Sequence, residues 1–251
     1  LKIPGRWRWN YGRSYHRKKA VISVIVWYIM GEKSAQPEQS HIVTDAVWKI
    51  SVRRIYNNNS SPLSDGELTA IERRLKIMKY AIIGAGGTGG TLGFYLTKAG
   101  RDVTLIARGE HLARMQQKGL TMERLWDNST ETISVKACLE NDYKETPDVI
   151  LLCVKGYSVD SVIPLIRKIA GKDTVVIPIL NIYGTGGRLQ KEFPELTVPD
   201  GCIYVSANIL EPGVILRHGK ILRVVFGARK PEEETEKMRE IAKDMACENI
   251  E

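Results

Sequence analysis

From residue 79 onward, the chain alternates short apolar runs with segments of helical spacing. The apolar runs predict strands at Lys79–Ile83, Val103–Ala107, Val149–Val154 and Thr174–Leu180. Apolar side chains three or four positions apart predict helices at Thr88–Ala99, Glu110–Lys118 and Val159–Ala170. A glycine, which commonly ends helices, follows each of them. This alternation predicts an α/β fold, Rossmann-like and doubly wound, with a mostly parallel sheet.

The composition limits the classes of protein to which the chain can belong. Hydrophobic residues make up 43% and charged residues 26% of the 251, which favours a soluble globular protein over a disordered or polytopic membrane chain. The four cysteines have neither CxxC nor Cys/His spacing, so we expect reduced thiols and no metal site. These features predict a cytoplasmic protein.

The net charge of +8 lies in one part of the chain. Residues 1–77 carry 14 of the 37 basic and 6 of the 29 acidic side chains, so the remaining residues are neutral overall. A basic protein can bind nucleic acid or an anionic membrane, but here that inference applies only to residues 1–77. We therefore expect that residues 78–251 bind neither nucleic acid nor a membrane. Only the basic segment 1–77 leaves these two partners open.

Residues 1–77 are interpreted as a basic N-terminal extension. Its apolar run Ala20–Met30 is like a signal-peptide core, but no small-x-small cleavage site follows it closely. Eleven residues are also too few to span a bilayer, which takes about 20. A buried strand, a surface helix and a mistranslated leader all stay open. Met78 would be a natural start, because a glycine motif begins six residues later.

That motif, Gly84-Ala85-Gly86-Gly87-Thr88-Gly89, lies between the first predicted strand and the first predicted helix. GxGxxG in this position is typical of dinucleotide sites. Its first glycine permits a tight turn, its second lets the backbone approach a pyrophosphate, and its third lets the helix pack on the strand. Because the helix N-terminus then points at the phosphates, we predict that all six residues bind a dinucleotide.

Arg108 indicates which dinucleotide the motif binds. An NAD site usually has Asp or Glu about 20 residues after the motif, where it holds the ribose 2′-hydroxyl. Arg108 ends the second predicted strand instead, and a guanidinium suits the 2′-phosphate of NADP. NADP(H) is therefore the predicted cofactor, with Glu110 open as an alternative ribose ligand.

Several segments resemble the 2-dehydropantoate 2-reductases, also called ketopantoate reductases. They are MKYAIIGAGGTGG from Met78, VTLIARGEHL, LLCVKGY, PILNIYGTGG and, at 211–219, EPGVILRHG. The resemblance implies NADPH-dependent reduction of the 2-keto group of ketopantoate to pantoate, a step of pantothenate and coenzyme A synthesis. It also implies an NADP-binding domain at 78–228 and, at 229–251, a connecting helix that begins a C-terminal helical domain.

The resemblance assigns roles to individual residues. The glycine motif takes the pyrophosphate and Arg108 the 2′-phosphate. Lys155 falls where the family has a lysine beside the cofactor ribose. Asn181 matches an asparagine near the nicotinamide and the substrate, which makes it a cofactor ligand and the catalytic candidate. Ile182 departs from the family, where glycine commonly follows that asparagine, so the local turn and the fit of the substrate are affected.

Two functional residues of the resembled family have no counterpart in this sequence. In that family, a lysine acts as general acid and a glutamate binds the substrate. Both come from the C-terminal helical domain, which we expect to be truncated here. Lys243, in the predicted helix Glu232–Cys247, is interpreted as solvated surface charge. His218 is interpreted as a surface residue of a hairpin between two strands rather than as a catalytic acid.

The predicted partner is a small-molecule 2-ketoacid, and a homodimer stays open. Three alternative functions also stay open. One is a non-catalytic NADP(H)-binding protein, and another is an interaction module in which the basic segment 1–77 binds membrane or nucleic acid. The third is a related 2-ketoacid or opine-type reductase, because the residues that select the substrate are not in this sequence.

Overall fold

The structure is a computed structural model that describes residues 77–247 and Ile250. The predictions for the basic extension, including the run Ala20–Met30, lie outside the described residues. The strands are β1 (Lys79–Ile83), β2 (Asp102–Ile106), β3 (Leu120–Arg124), β4 (Ser129–Ile133), β5 (Lys136–Cys138), β6 (Val149–Leu152), β7 (Val175–Pro178), β8 (Asp200–Glu211) and β9 (Val214–Gly227). The helices are α1 (Gly87–Lys98), α2 (Gly109–Lys118), α3 (Val159–Ile169), α4 (Thr185–Glu192) and α5 (Glu236–Met245), with 3₁₀ turns at Gly156–Ser158 and Pro231–Glu233.

Five of the strands form a parallel sheet in the order β5-β2-β1-β6-β7. This confirms the predicted Rossmann-like, doubly wound α/β fold. Every residue of β6 and β7 is buried, as their nearly unbroken apolar runs predict for strands covered on both faces. The strand order reverses between β1 and β6, so β1 lies at the switch point of the sheet.

A second, mixed sheet has the order β4-β3-β9-β8 and is not predicted from the sequence. Strand β3 pairs antiparallel with β4 and parallel with β9, and β8 and β9 form a long hairpin. The hairpin turns at Pro212 and Gly213, where Gly213 has a φ of +84°. The prediction that His218 lies between two strands is therefore wrong, because the turn comes earlier and His218 lies within β9.

Helix α1 lies between the two sheets, and its glycines make the fit possible. A Cβ at Gly87 would lie 2.3 Å from the carbonyl oxygen of Ala207 in β8. A Cβ at Gly90 would lie 3.0 Å from Cδ1 of Ile215 in β9. The second sheet thus covers the helix that follows the glycine motif.

Each face of the parallel sheet has its own apolar core. One core combines α1, the second sheet and α5, represented by Leu92, Ile215 and Ile241. The other core combines the sheet with α3 and α4, represented by Ile166 and Leu189. Both are needed because a parallel sheet is apolar on both of its faces.

A polar contact fixes α5 against the edge of the first core. The hydroxyl of Tyr80 donates to Oδ2 of Asp244 at 2.7 Å, and Arg101 pairs with the same carboxylate at 3.2 Å. Burial, and then the neighbouring Asp244, raises the pKa of Tyr80, so the phenol stays protonated and acts as a donor.

Candidate functional site

Four strands of the parallel sheet end in one row. Ile83 is in register with Ile106 and with Leu152, and Leu152 is in register with Pro178. The glycine motif begins directly after this row. The other predicted site residues, Arg108, Lys155 and Asn181, follow their strands by two or three residues. The fold therefore brings all the predicted site positions to the carboxyl edge of the sheet, around the switch point where such sheets bind ligands.

The glycines of the motif have two different structural requirements. Gly84 has a φ of +97°, and a Cβ there would lie 3.0 Å from Cγ1 of Val154, so the turn needs glycine. A Cβ at Gly89 would lie 2.0 Å from the oxygen of Gly84, so α1 could not pack against the turn. A Cβ at Gly86, by contrast, would meet no atom within 4 Å. The protein itself requires Gly84 and Gly89, whereas the absent side chain of Gly86 leaves open space.

The N-terminus of α1 suits an anion. Gly86 is the N-cap residue, no side chain caps the helix, and its first turn contains no acidic residue. The first N–H groups of a helix lack intrahelical acceptors, and the helix dipole adds partial positive charge at this end. These properties fit a pyrophosphate approaching Gly86.

Arg108 is the N-cap residue of α2 and is exposed. Within the described part of the chain, its guanidinium has neither a hydrogen bond nor an ion pair. Glu110, the alternative ribose ligand, lines a cavity of about 640 Å³ between α2 and the β8–β9 turn, together with Arg114 and Glu211. Arg108 is thus an exposed cation that lies two residues after the end of β2.

Lys155 follows β6 at the start of a 3₁₀ turn and is exposed. Among residues 77–247, its ammonium group has no hydrogen-bonding or ionic partner. Ile182 packs over the next residue, because a Cβ at Gly156 would lie 2.3 Å from Cδ1 of Ile182. The isoleucine that departs from the resembled family thus lies beside the predicted ribose ligand.

The side chain of Asn181 is bonded to β8. Its Nδ2 donates to the oxygen of Ile203 at 3.0 Å, and its Oδ1 accepts from the nitrogen of Ile203 at 3.1 Å. The amide retains one N–H and one lone pair for a ligand. Asn181, Ile182 and Tyr183 also line a cavity of about 420 Å³ with Cys202 and Phe226. Asn181 therefore joins the end of β7 to the second sheet and borders an open cavity.

His111 is a residue of this region to which the sequence assigns no role. Its Nε2 lies 2.9 Å from the carbonyl oxygen of Ala85, and the nitrogen of Gly213 donates to its Nδ1 at 2.9 Å. Burial lowers the pKa of this imidazole. His111 lies four residues before the buried Met115, hence on the inner face of α2, where a polar group needs partners. That position is the signal that could have identified it.

Two other candidates lie on the surface. His218 is exposed, and its Nε2 lies 2.5 Å from Oδ1 of Asn208, the neighbouring exposed residue of β8. Lys243 is exposed on α5. The structure thus agrees with the interpretation of both as surface residues.

Residues 77–247 and Ile250 contain no group of three or more side chains placed to bind a metal ion. In that same part of the chain, no helix has the length and hydropathy needed to cross a membrane.

The sequence is similar to one protein family and to several of its members. The model of the family described as ketopantoate reductase PanE/ApbA matches residues 80–231. The chain is 32% identical to the 2-dehydropantoate 2-reductase of Pyrococcus horikoshii, over 59% of this chain and 47% of that protein. It is 29% identical to an uncharacterised oxidoreductase of Bacillus subtilis, over 64% of this chain and 52% of that protein.

A solved structure shares the fold. The 2-dehydropantoate 2-reductase of Porphyromonas gingivalis matches with a TM-score of 0.60 and 28% identity, over 68% of this chain and 61% of that chain. The chain spans about half the length of the curated relatives that it matches.

Proposed function

The chain belongs to the ketopantoate reductase family, and we propose that it binds NADPH at the carboxyl edge of its parallel sheet and serves the reduction of 2-dehydropantoate to pantoate. This reaction is a step of pantothenate and coenzyme A synthesis, and the proposed location is the cytoplasm. The observation that carries the proposal is the open space at Gly86, at the uncapped N-terminus of α1, on the same edge as the exposed Arg108.

Each residue of this edge has a proposed task. The N–H groups around Gly86 hold the pyrophosphate, and Arg108 pairs with the 2′-phosphate. Lys155 contacts the ribose, and Asn181 borders the nicotinamide and the substrate with the donor and acceptor that its bonds to Ile203 leave available. The bound NADPH supplies the hydride for the keto carbon. No proton donor is assigned among the described residues.

The choice of NADPH over NADH rests on the charge of Arg108. A phosphate monoester carries about −1.5 to −2 charges at neutral pH and suits a guanidinium. The ribose 2′-hydroxyl of NADH needs an acceptor instead, and a carboxylate usually provides it at this position. An exposed arginine without a carboxylate partner therefore favours the phosphorylated cofactor.

Titration of the full chain with each cofactor tests this choice. Arg108→Ala should weaken the binding of NADPH by roughly 10- to 150-fold, which corresponds to the loss of about 1.5–3 kcal/mol from one charge-assisted contact. The affinity for NADH should be nearly unaffected. Arg114→Ala is the matched control, because it removes the same charge from α2 on the side of the 640 Å³ cavity. Equal weakening of both cofactors by Arg108→Ala would refute the NADP assignment, and a loss of NADH on Glu110→Ala would favour NAD.

Turnover separates the remaining alternatives. Oxidation of NADPH by the full chain is followed with 2-dehydropantoate and with a panel of other 2-ketoacids. Preference for another ketoacid would favour a related reductase. One of the relatives is an uncharacterised oxidoreductase rather than a 2-dehydropantoate 2-reductase by name. NADPH binding without turnover on any ketoacid would favour the non-catalytic NADP(H)-binding alternative.

A further inference from the structure

We infer that His111 is a positioning residue of the cofactor site, which holds the carbonyl of Ala85 so that the N–H of Gly86 points at the pyrophosphate. The inference rests on the proposed function, because it requires that NADPH bind at this loop. It adds a residue that lies outside the glycine motif and outside the set predicted from the sequence.

The imidazole connects three elements of the site. It is in the first turn of α2, three residues after Arg108. Because its Nδ1 accepts from the N–H of Gly213, the neutral ring carries its proton on Nε2 and donates to the oxygen of Ala85. Both bonds measure 2.9 Å, which is a normal length for N–H donors. The ring thus links α2, the glycine motif and the turn of the β8–β9 hairpin.

Peptide geometry relates this bond to the ligand. The carbonyl of Ala85 and the N–H of Gly86 belong to one planar trans peptide, so they point in opposite directions. Holding the oxygen against His111 directs the N–H away from α2. A Cβ at Gly86 would meet no atom within 4 Å, so the backbone at this residue borders open space where a phosphate can approach.

Without His111, this peptide would be free to flip. A glycine adopts positive and negative φ with similar ease, so rotation of the Ala85–Gly86 peptide meets little steric resistance. The flipped peptide would present a carbonyl oxygen to the phosphate instead of an N–H. The partial negative charge of that oxygen would then repel the negatively charged phosphate. His111 prevents that arrangement before the cofactor arrives, so less ordering is needed on binding.

The bond to Gly213 requires a neutral imidazole. Burial is the main cause that lowers the pKa of His111 below its usual 6.5, which favours the neutral form. The charged side chains nearest in sequence are Glu110 and, three residues away on either side, Arg108 and Arg114; on the hairpin, Glu211 ends β8 just before the turn. None of these bonds to the ring, and the glycine motif contains no titratable side chain. Protonation adds a hydrogen at Nδ1, which faces the N–H of Gly213. Because the two donors repel each other, the ring has to turn, and Nε2 then no longer points at the oxygen of Ala85.

Three substitutions at His111, compared in the full chain, separate the two bonds. His111→Gln keeps an amide N–H within reach of Ala85, whereas His111→Asn keeps an oxygen near the place of Nδ1 but cannot reach Ala85. His111→Ala removes both groups. We expect the dissociation constant for NADPH to rise roughly 2- to 12-fold in the Ala and Asn variants, the equivalent of one neutral hydrogen bond. The Gln variant should recover most of the affinity.

The pH profile provides a readout that a purely structural role would not move. Because the pKa of His111 is lowered, the neutral ring persists at pH 7.5, and the wild-type affinity for NADPH should decline only below pH 6.5. The 2′-phosphate itself titrates near pH 6, and that loss should appear equally in wild type and His111→Gln. The additional decline in the wild type is then due to His111. Identical profiles from pH 8 to pH 5 would overturn the coupling.

A fragment of the cofactor distinguishes the two levels of the proposal. Adenosine 2′-monophosphate carries the phosphate proposed for Arg108 but has no pyrophosphate. This fragment should bind wild type and His111→Ala with equal affinity. If the substitution instead disrupted the structure in general, the binding of the fragment would be weakened as well. Failure of the wild type to bind NADPH would contradict the proposed function. Normal NADPH binding by His111→Ala, with the wild type also binding, would contradict only the role of His111.

Discussion

Replacing Gly86 with alanine separates the needs of the protein from those of its ligand. The added methyl group would meet no atom within 4 Å, and the backbone angles of Gly86, φ −71° and ψ −163°, are accessible to alanine. The folded protein therefore has room for the methyl group. If a pyrophosphate approaches the backbone at this place, the same methyl group stands in its way.

The two effects can be sized separately. Alanine restricts the unfolded chain, which stabilises the fold by about 0.4–1 kcal/mol, but it is a poorer N-cap residue than glycine by a similar amount. Because these two contributions oppose each other, the free energy of unfolding should change by no more than about 0.5 kcal/mol. Blocking one charge-assisted N–H contact to a phosphate costs about 1.5–3 kcal/mol, so NADPH should bind roughly 10- to 150-fold more weakly.

Urea unfolding measures the first effect, and fluorescence titration with NADPH measures the second. Gly187→Ala is the matched control, because its Cβ would lie an ordinary 3.7 Å from Cδ of Arg229, within α4 and outside the motif. It should stabilise the helix by roughly 0.5–1 kcal/mol and leave NADPH binding unchanged. Wild-type affinity in Gly86→Ala would refute the placement of the pyrophosphate. A large loss of stability would refute the steric argument.

Two further substitutions test the packing of the fold by urea unfolding. Gly89→Ala should lower the free energy of unfolding by roughly 1–3 kcal/mol, because its Cβ would lie 2.0 Å from the oxygen of Gly84; an unchanged value would mean that α1 shifts freely. Arg217→Met should also cost roughly 1–3 kcal/mol, because the buried guanidinium donates to three carbonyl oxygens of residues 219–221 at 2.8–3.0 Å. Wild-type stability in this variant would mean that water replaces those three bonds.

Local patterns account for the parts of the fold that the sequence predicts. The parallel sheet follows from apolar runs such as 149–152, whose burial depends on the fold class and not on the details of packing. The positions of the site residues follow from the same pattern, since each lies just after a predicted strand and parallel strands end at one edge. The motif also predicts the conformational role of Gly84 and the packing role of Gly89 correctly, because the turn and the close helix are local features.

The second sheet escapes prediction because its strands carry weak signals. Strand β4 has no buried residue and β3 only two, so neither presents a strong apolar run. The pairing of Thr121 with Val214 joins segments that are far apart in the chain. The spacing of apolar residues does not show which distant strands pair with each other. The sequence predicts the long hairpin only in part, since the glycine near His218 is as plausible a turn as the one at Pro212–Gly213.

The sequence by itself determined the class of the fold, the family and the edge at which the candidate site residues lie, because these depend on local periodicity and on short motifs. Only the tertiary structure decided how the side chains of that edge are used. It gave the amide of Asn181 to the backbone of Ile203, and it bonded His111 to residues 26 and 102 positions away. Such partners are fixed by the packing of α2 and the second sheet against the loops, and hydrogen bonds between distant residues leave no repeat in the sequence.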